Sequence, residues 1–207
     1  MYFPTKGALW QGLAQAKKRG LANLVGVTGL GDAAVRKAHK DLAKLDVPLA
    51  SNQVELSLVN RGPLLDGTVA ACRELGVTVL ARAPLGGGIA CGKYTATNPT
   101  GGQFGQGALP KYSFAELQPL MPLHQSLEDV CKRVDRRRND ALEEGAARLD
   151  PVTSTQVALN WVRAKGAVPL PSVKTRKEAE EVIRCLDWEL DDGDVLILDG
   201  AAAKSGR

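Results

Sequence analysis

The sequence has few aromatic residues and only a weak excess of positive charge. Phe, Trp and Tyr together make up 4% of the 207 residues, and the formal net charge is +4. Proteins that bind single-stranded nucleic acid use aromatic side chains to stack on bases and a concentrated basic groove to follow the backbone. The dense basic run from Lys132 to Arg138 contains no aromatic residue and is typical of a solvated helix face. The composition therefore argues against a nucleic-acid partner.

Cysteine pairs are also missing. No Cys-x-x-Cys motif occurs, and the four cysteines are far apart in the chain. This spacing predicts free thiols in a reducing compartment and disfavours both disulfide bonds and a zinc site. The cysteines are Cys72, Cys91, Cys131 and Cys185.

Long apolar runs are absent from the sequence. A membrane-spanning helix needs about 18 consecutive apolar residues, and no such stretch occurs. Met1 is followed by Tyr-Phe-Pro-Thr-Lys, which does not resemble the apolar core of a secretory signal. We therefore expect no membrane partner and a cytoplasmic location.

Short apolar runs rich in β-branched residues alternate with segments of helical periodicity. Strands are predicted at 23–28, 49–56, 77–81 and 167–170, and helices at 9–18, 32–45, 63–75, 114–138 (continuous or broken), 153–165 and 176–186. Residues 93–107, rich in Gly, Thr, Asn and Gln, are predicted to form an exposed loop. Strands that alternate with helices indicate right-handed βαβ units and a parallel sheet. We predict an α/β fold with one domain over residues 1–207.

Four predicted strands are half of what a closed barrel requires. A (β/α)8 TIM barrel has eight strands and typically about 250 residues. A four-stranded chain must form an open sheet, pair with a second copy, or belong to a larger protein. Its exposed strand edges and apolar inner face favour self-association, so we expect either a homodimer that completes a pseudo-barrel or poor solubility.

Several stretches, taken in order, resemble the aldo-keto reductase family, and most closely its plant and algal type. They are Leu24-Val-Gly-Val-Thr28, Ala50-Ser-Asn-Gln-Val-Glu55, Leu80-Ala-Arg-Ala-Pro-Leu85, Gly92-Lys-Tyr94, Gln156-Val-Ala-Leu-Asn-Trp161 and Val168-Pro-Leu-Pro-Ser-Val-Lys174. Each is short, but together they follow the family's order and spacing across nearly the whole chain. The resemblance implies a partial (β/α)8 TIM barrel whose four strands correspond to barrel strands five to eight, the family's carboxyl-terminal half.

The resemblance also implies an activity. Members of the family reduce aldehydes and ketones with NADPH, while a tyrosine, assisted by lysine, aspartate and histidine, protonates the carbonyl oxygen. Those four residues lie on the family's first four strands, so we expect no catalytic residue in this chain. The hypothesis is a half-barrel that carries the NADP(H) site; the alternative is a non-catalytic remnant that binds NADP(H) or a protein partner. Plant and algal relatives also occur in plastids, which makes the plastid the alternative location.

One group of residues corresponds to the family's nicotinamide site. The resemblance assigns Gln53 to the carboxamide, and Thr28 stands where the family has serine and keeps a hydroxyl. Gly29 replaces an asparagine, and Arg82 replaces the tyrosine that stacks on the ring. A guanidinium can stack on a ring, but its charge is expected to disfavour the oxidised cofactor.

A second group corresponds to the family's phosphate site. In TIM barrels, the loops after strands seven and eight bind phosphate together with a helix N-terminus, which offers free N–H groups and a partial positive charge. The resemblance assigns Leu85 and Gly86 to the pyrophosphate and Glu181 to the adenine amine. The residues expected to contact the 2′-phosphate are Ser172, Val173, Lys174 and Thr175, together with Lys177 or Arg176.

Overall fold

The computed structural model describes residues 6–100 and 112–205. The strands are β1 (Val25–Thr28), β2 (Leu49–Glu55), β3 (Thr78–Arg82) and β4 (Ala167–Leu170). The helices are α1 (Lys6–Lys18), α2 (Asp32–Ala43), α3 (Gly62–Leu65), α4 (Thr68–Glu74), α5 (Phe114–Leu117), α6 (Met121–Asp140), α7 (Ser154–Ala164), α8 (Arg176–Ile183) and α9 (Asp192–Lys204). All four strands lie where the sequence predicts them, so the α/β prediction is confirmed.

The chain divides into two compact units. The first consists of Met1–Glu55 and Gly62–Arg82, and the second of Leu56–Arg61 and Ala83–Arg207. Each unit has its own buried apolar side chains. That the whole chain acts as a single domain stays a prediction.

In the first unit, β1, β2 and β3 lie side by side and parallel. Side chains on β2 alternate between the two faces, as the period of two of a strand requires. Asn52 and Val54 are buried, whereas Ser51 and Gln53 are partly exposed. The buried face lies against α2 and α4, and the other face carries Gln53 at its carboxyl end.

The second unit is built around α7, which is buried along most of its length. Trp161 on this helix is fully buried, as are Leu127 on α6 and Leu198 on α9. Helix α6 contacts both α7 and α9. A network of ions joins α6 to α9, because the buried carboxylate of Asp194 accepts hydrogen bonds from Arg133 (3.0 Å) and Arg137 (2.9 Å).

Two helical segments differ from the sequence-based prediction. The helix predicted at 63–75 is interrupted between α3 and α4, where Gly67 has a φ of +83° that side chains other than glycine rarely adopt. Helix α9 was not predicted, because its run Val195–Leu198 is continuously apolar and shows no one-sided periodicity. Asp191 could have indicated the start of this helix, because aspartate is a preferred N-cap residue. Its side chain accepts a hydrogen bond from the backbone N–H of Asp194 at 2.7 Å.

The loop predicted at 93–107 is described only as far as residue 100, and residues 93–100 contain neither helix nor strand. Residues 101–107 lie outside the described part of the chain. Across 6–100 and 112–205, no helix is both long and apolar enough to cross a lipid bilayer.

Candidate functional site

Thr28, Gln53 and Leu80 form a row across the carboxyl ends of the three strands of the first unit. Thr28 is in register with Gln53, and Gln53 with Leu80. The Gln53 carbonyl oxygen accepts hydrogen bonds from the Thr28 hydroxyl (3.2 Å) and from the Gly29 backbone N–H (2.8 Å). The Gln53 side-chain amide has no hydrogen-bond partner among the described residues. Thr28 is therefore fixed by the backbone, while the Gln53 amide is available to a ligand.

A cavity of about 640 Å³ opens beside this row within the first unit. Its walls combine apolar side chains of α1 with polar side chains of the strands. The principal ones are Leu9, Trp10, Leu13, Thr28, Ser51 and Gln53. The cavity borders β1, which pairs with β2 on one side and, within the described part of the first unit, has no strand on the other.

Arg82 forms an ion pair that the sequence-based interpretation missed. Its guanidinium lies 2.6 Å from the carboxylate of Glu55, and the two residues are in register on neighbouring strands. Glu55 partly balances the charge of Arg82, and the effect of this cation on the oxidised cofactor stays a prediction. The sequence places Glu55, two residues beyond Gln53, on the same strand face, but its pairing with Arg82 depends on the register between β2 and β3.

In the second unit, Leu85 and Gly86 begin the turn that follows β3 in the sequence. Gly86 has a φ of +56°, and a Cβ at this position would lie 2.2 Å from Cγ2 of Val59. Only glycine fits there, so the tight turn accounts for this residue without a ligand. Contact between Gly86 and a pyrophosphate stays a prediction.

The N-terminus of α8 is capped by its own side chains. The Thr175 hydroxyl accepts a hydrogen bond from the Glu178 backbone N–H at 3.2 Å. In return, Oε2 of Glu178 accepts from the backbone N–H groups of Lys174 (2.7 Å) and Thr175 (3.0 Å). These two hydrogen bonds are the main cause that lowers the pKa of Glu178 below its ordinary value. The Thr-x-x-Glu spacing is a capping-box signature, but sequence reasoning did not use it.

Only some of the cations near this terminus remain unpaired. Arg176 forms an ion pair with Glu180 at 2.7 Å. Lys174 and Lys177 are exposed, and neither has an ion-pair partner within the described residues. Lys93, from the loop after Gly92, lies close enough to Glu178 for its charge to lower the pKa of that carboxyl. Cationic side chains therefore surround the N-terminus of α8.

The remaining predicted residues of this group differ in how tightly they are held. Ser172 and Val173 are exposed, and their backbone N–H groups have no partner in the part of the chain that the structure describes. Glu181 is half-buried, and its carboxylate accepts a hydrogen bond from the Thr153 hydroxyl at 2.8 Å. Gln156 donates to the Glu181 carbonyl oxygen at 2.9 Å. Glu181 thus joins α8 to the start of α7, whatever else it binds.

The cysteines do not form a reactive site. All four are unpaired, which confirms the prediction of free thiols. Burial raises the pKa of each thiol, and that of Cys131 reaches about 11, so the thiols are protonated at neutral pH. Among the described residues, no group of histidine, cysteine and carboxylate side chains could hold a metal ion.

The donors at the start of α8 fit a phosphate group. Ammonium groups, hydroxyls and unpaired backbone N–H groups are the donors that phosphate oxygens accept from. The carboxylate of Glu178 does not fit a phosphate, since it is itself an anion and already accepts hydrogen bonds from two backbone N–H groups. The start of α8 in the second unit therefore has donors suited to an anion, and the Glu178 carboxylate already uses two neighbouring backbone donors.

Comparisons with known proteins place this arrangement in context. The chain is 33% identical over 201 residues to the chloroplastic pyridoxal reductase of Arabidopsis thaliana, a match covering 96% of this chain and 49% of that protein. It is 25% identical to an aldo-keto reductase of Strobilurus tenacellus, covering 93% of this chain and 52% of the relative. The chain thus spans about half the length of these relatives.

The fold agrees with this result. The structure resembles the crystal structure of a thermostable aldo-keto reductase with the inhibitor epalrestat, with a TM-score of 0.66 and 19% identity, covering 97% of this chain and 58% of that chain. The predicted partial TIM barrel is therefore confirmed as a fold. That the match is to the carboxyl-terminal half stays a prediction. Residues 4–203 match the Aldo/keto reductase family, and the chain belongs to that family.

Proposed function

We propose that this chain is the NADP(H)-binding part of an oxidoreductase that acts on aldehydes or ketones. The observation that carries the proposal is the cation-rich N-terminus of α8, directly after β4, in a chain of the aldo/keto reductase family. Lys174 and Lys177 would bind the 2′-phosphate, with the Thr175 hydroxyl and the backbone N–H groups of Ser172 and Val173. The bound cofactor supplies the hydride.

The other predicted contacts belong to the same proposal. In the first unit, Thr28 and Gln53 would bind the nicotinamide carboxamide, and Arg82 would lie against the ring. In the second, Leu85 and Gly86 would follow the pyrophosphate. Glu181 would approach the adenine amine, since the Thr153 hydroxyl bonds to only one of its two carboxylate oxygens.

Replacing Lys174 with alanine is expected to weaken NADPH binding by about tenfold to a hundredfold, the range for losing a hydrogen bond between charged groups. NADH lacks the 2′-phosphate, so its affinity should change little. The measurement is a fluorescence titration of each nucleotide. Lys132→Ala is the matched control, because Lys132 is an exposed lysine of α6 in the same unit.

Two results would contradict the proposal. One is the absence of a saturable NADPH signal with a chain that circular dichroism shows to be folded. The other is an equal loss of affinity in the Lys174→Ala and Lys132→Ala variants, which would indicate a general charge effect.

The relatives support the proposed substrate class. The Arabidopsis relative is a pyridoxal reductase. Pyridoxal is an aldehyde, which agrees with a carbonyl substrate for the oxidoreductase of which we propose this chain to be a part. The alternative remains a non-catalytic chain that binds NADP(H) or a protein partner. For the location we propose the cytoplasm, with the plastid as the alternative, since the same relative is described as chloroplastic.

We further propose that two copies of the chain associate through the exposed side of β1. The wall that α1 contributes to the cavity there is apolar, and an unpaired strand edge is a template for pairing with another chain. Leu9 on the cavity wall is 49% exposed.

Size-exclusion chromatography with light scattering is expected to show a dimer of the wild-type chain and a shift toward monomer for Leu9→Lys, because a charge placed on the apolar wall opposes burial. Leu196→Lys is the control, since Leu196 is 72% exposed on α9 of the second unit. A monodisperse wild-type monomer would contradict the proposal.

A further inference from the structure

Glu178 uses the same backbone donors that attract anions to a helix N-terminus. Its carboxylate accepts from the N–H groups of Lys174 at 2.7 Å and Thr175 at 3.0 Å. A helix N-terminus binds a phosphate or a carboxylate through these N–H groups and its partial positive charge. The Glu178 carboxylate already accepts from two of these N–H groups and already lies near the partial positive charge.

One nearby cation, Lys93, acts on Glu178 as it would act on a bound anion. Lys93 stabilises the ionised carboxylate through its charge, and Lys174 supplies one of the two N–H groups. Lys177 precedes Glu178 directly in the first turn of α8. A phosphate entering this region would meet the lysines and also a carboxylate that repels it.

We propose that Glu178 is an internal competitor for the phosphate, so that it reduces the affinity of this chain for NADPH and its preference for NADPH over NADH. The inference rests on the proposed NADP(H) function and names a residue that sets its cofactor specificity. Binding of the 2′-phosphate requires the carboxylate either to move away or to stay as a nearby like charge. Moving the carboxylate and keeping it as a like charge each make the free energy of NADPH binding less favourable.

The helix itself does not require the negative charge of Glu178. Helix α7 of the same chain begins with a capping box made by Thr153 and Gln156, in which the Gln156 side chain accepts from the Thr153 N–H at 3.3 Å. Glutamine therefore performs the same capping role in this protein. Glu178→Gln should keep the cap and remove only the charge.

The test is the affinity of the full chain for NADPH and NADH, measured by fluorescence titration for the wild type, Glu178→Gln and Glu178→Asp. Glu178→Gln is expected to tighten NADPH binding by about tenfold, as removal of one like charge about 4 Å from a dianion predicts in a solvated site. NADH affinity should change by less than about twofold, because the nucleotide lacks the repelled group. Glu178→Asp keeps the charge and should not tighten NADPH binding.

One variant controls for the change of net charge, and another tests Glu178 a second time. Glu189→Gln makes the same change of net charge at an exposed carboxylate that pairs with Arg163, and it should leave NADPH affinity unchanged. Glu178→Ala removes the charge together with the hydrogen bonds to the Lys174 and Thr175 N–H groups, and as a second variant it should also tighten NADPH binding.

The outcomes separate this inference from the proposed function. If the wild type binds NADPH and Glu178→Gln binds it no more tightly, the inference is wrong and the proposed function stands. If Glu178→Asp gains as much affinity as Glu178→Gln, the charge is not the cause, and the inference is also wrong. If neither the wild type nor any variant binds NADPH, the proposed function fails and the inference fails with it.

Discussion

The isolated chain is expected to oxidise NADPH in the presence of an aldehyde no faster than a blank without protein. The predicted correspondence to the family's carboxyl-terminal half would place the proton-donating tyrosine and its lysine, aspartate and histidine partners outside this chain. A positioned general acid alone contributes about 10²–10⁴-fold to a rate, and groups that act together lose most of their effect when any one is missing. Cofactor binding without these groups should therefore leave no measurable turnover.

The measurement is the absorbance of NADPH with pyridoxal and with a second, unrelated aldehyde, at protein concentrations that saturate the cofactor. Lys174→Ala is the informative comparison, because it is expected to weaken cofactor binding without altering the fold. Saturable NADPH oxidation that disappears in this variant would contradict the prediction. It would show that the catalytic groups lie within these 207 residues.

Replacing Trp161 with alanine is expected to lower the free energy of unfolding by about 3–5 kcal/mol, the range for truncating a large buried aromatic side chain. Trp161 is fully buried on α7, and its indole N–H donates to the Asp199 carboxylate at 2.9 Å. Lys165 binds the other oxygen of that carboxylate at 2.6 Å. The substitution therefore leaves a cavity and removes a link between α7 and α9.

Urea denaturation followed by circular dichroism measures this loss. Trp161→Phe is the matched control, because it keeps an aromatic ring in the core and removes the N–H, so it should cost clearly less than alanine. A decrease in the midpoint with an unchanged slope would assign the effect to stability alone. Equal losses for the two variants would show that the hydrogen bond to Asp199, and not packing, dominates.

The order of strands and helices could be predicted because it depends on local patterns. Runs such as 77–81 are short, apolar and β-branched, and their positions agree with β3 and the other strands. The failures had local causes as well. Gly67 breaks a segment that looks continuous, and α9 is too uniformly apolar over Val195–Leu198 for a helical period to be visible.

The site was predicted as a set of candidate donors, and the structure added their partners. Resemblance pointed to Lys174 and Gln53, both of which have side chains open to a ligand in the described structure. It did not show that Glu178 accepts from the backbone of Lys174, although the capping-box spacing lay within four residues of sequence. Charges that seemed unbalanced in the sequence are partly balanced in the fold.

The sequence by itself determined the alternation of strands and helices and the cation-rich start of α8, because each depends on residues close together in the chain. It also determined the membership of the family, through short stretches whose order and spacing extend over residues 4–203. Only the tertiary structure decided which charges neutralise one another. Glu55 meets Arg82 across 27 residues, and Arg133 meets the buried Asp194 across 61. Such pairs form because strand register and helix packing bring distant side chains together, and the pattern along the chain gives at most the strand face on which a residue such as Glu55 lies.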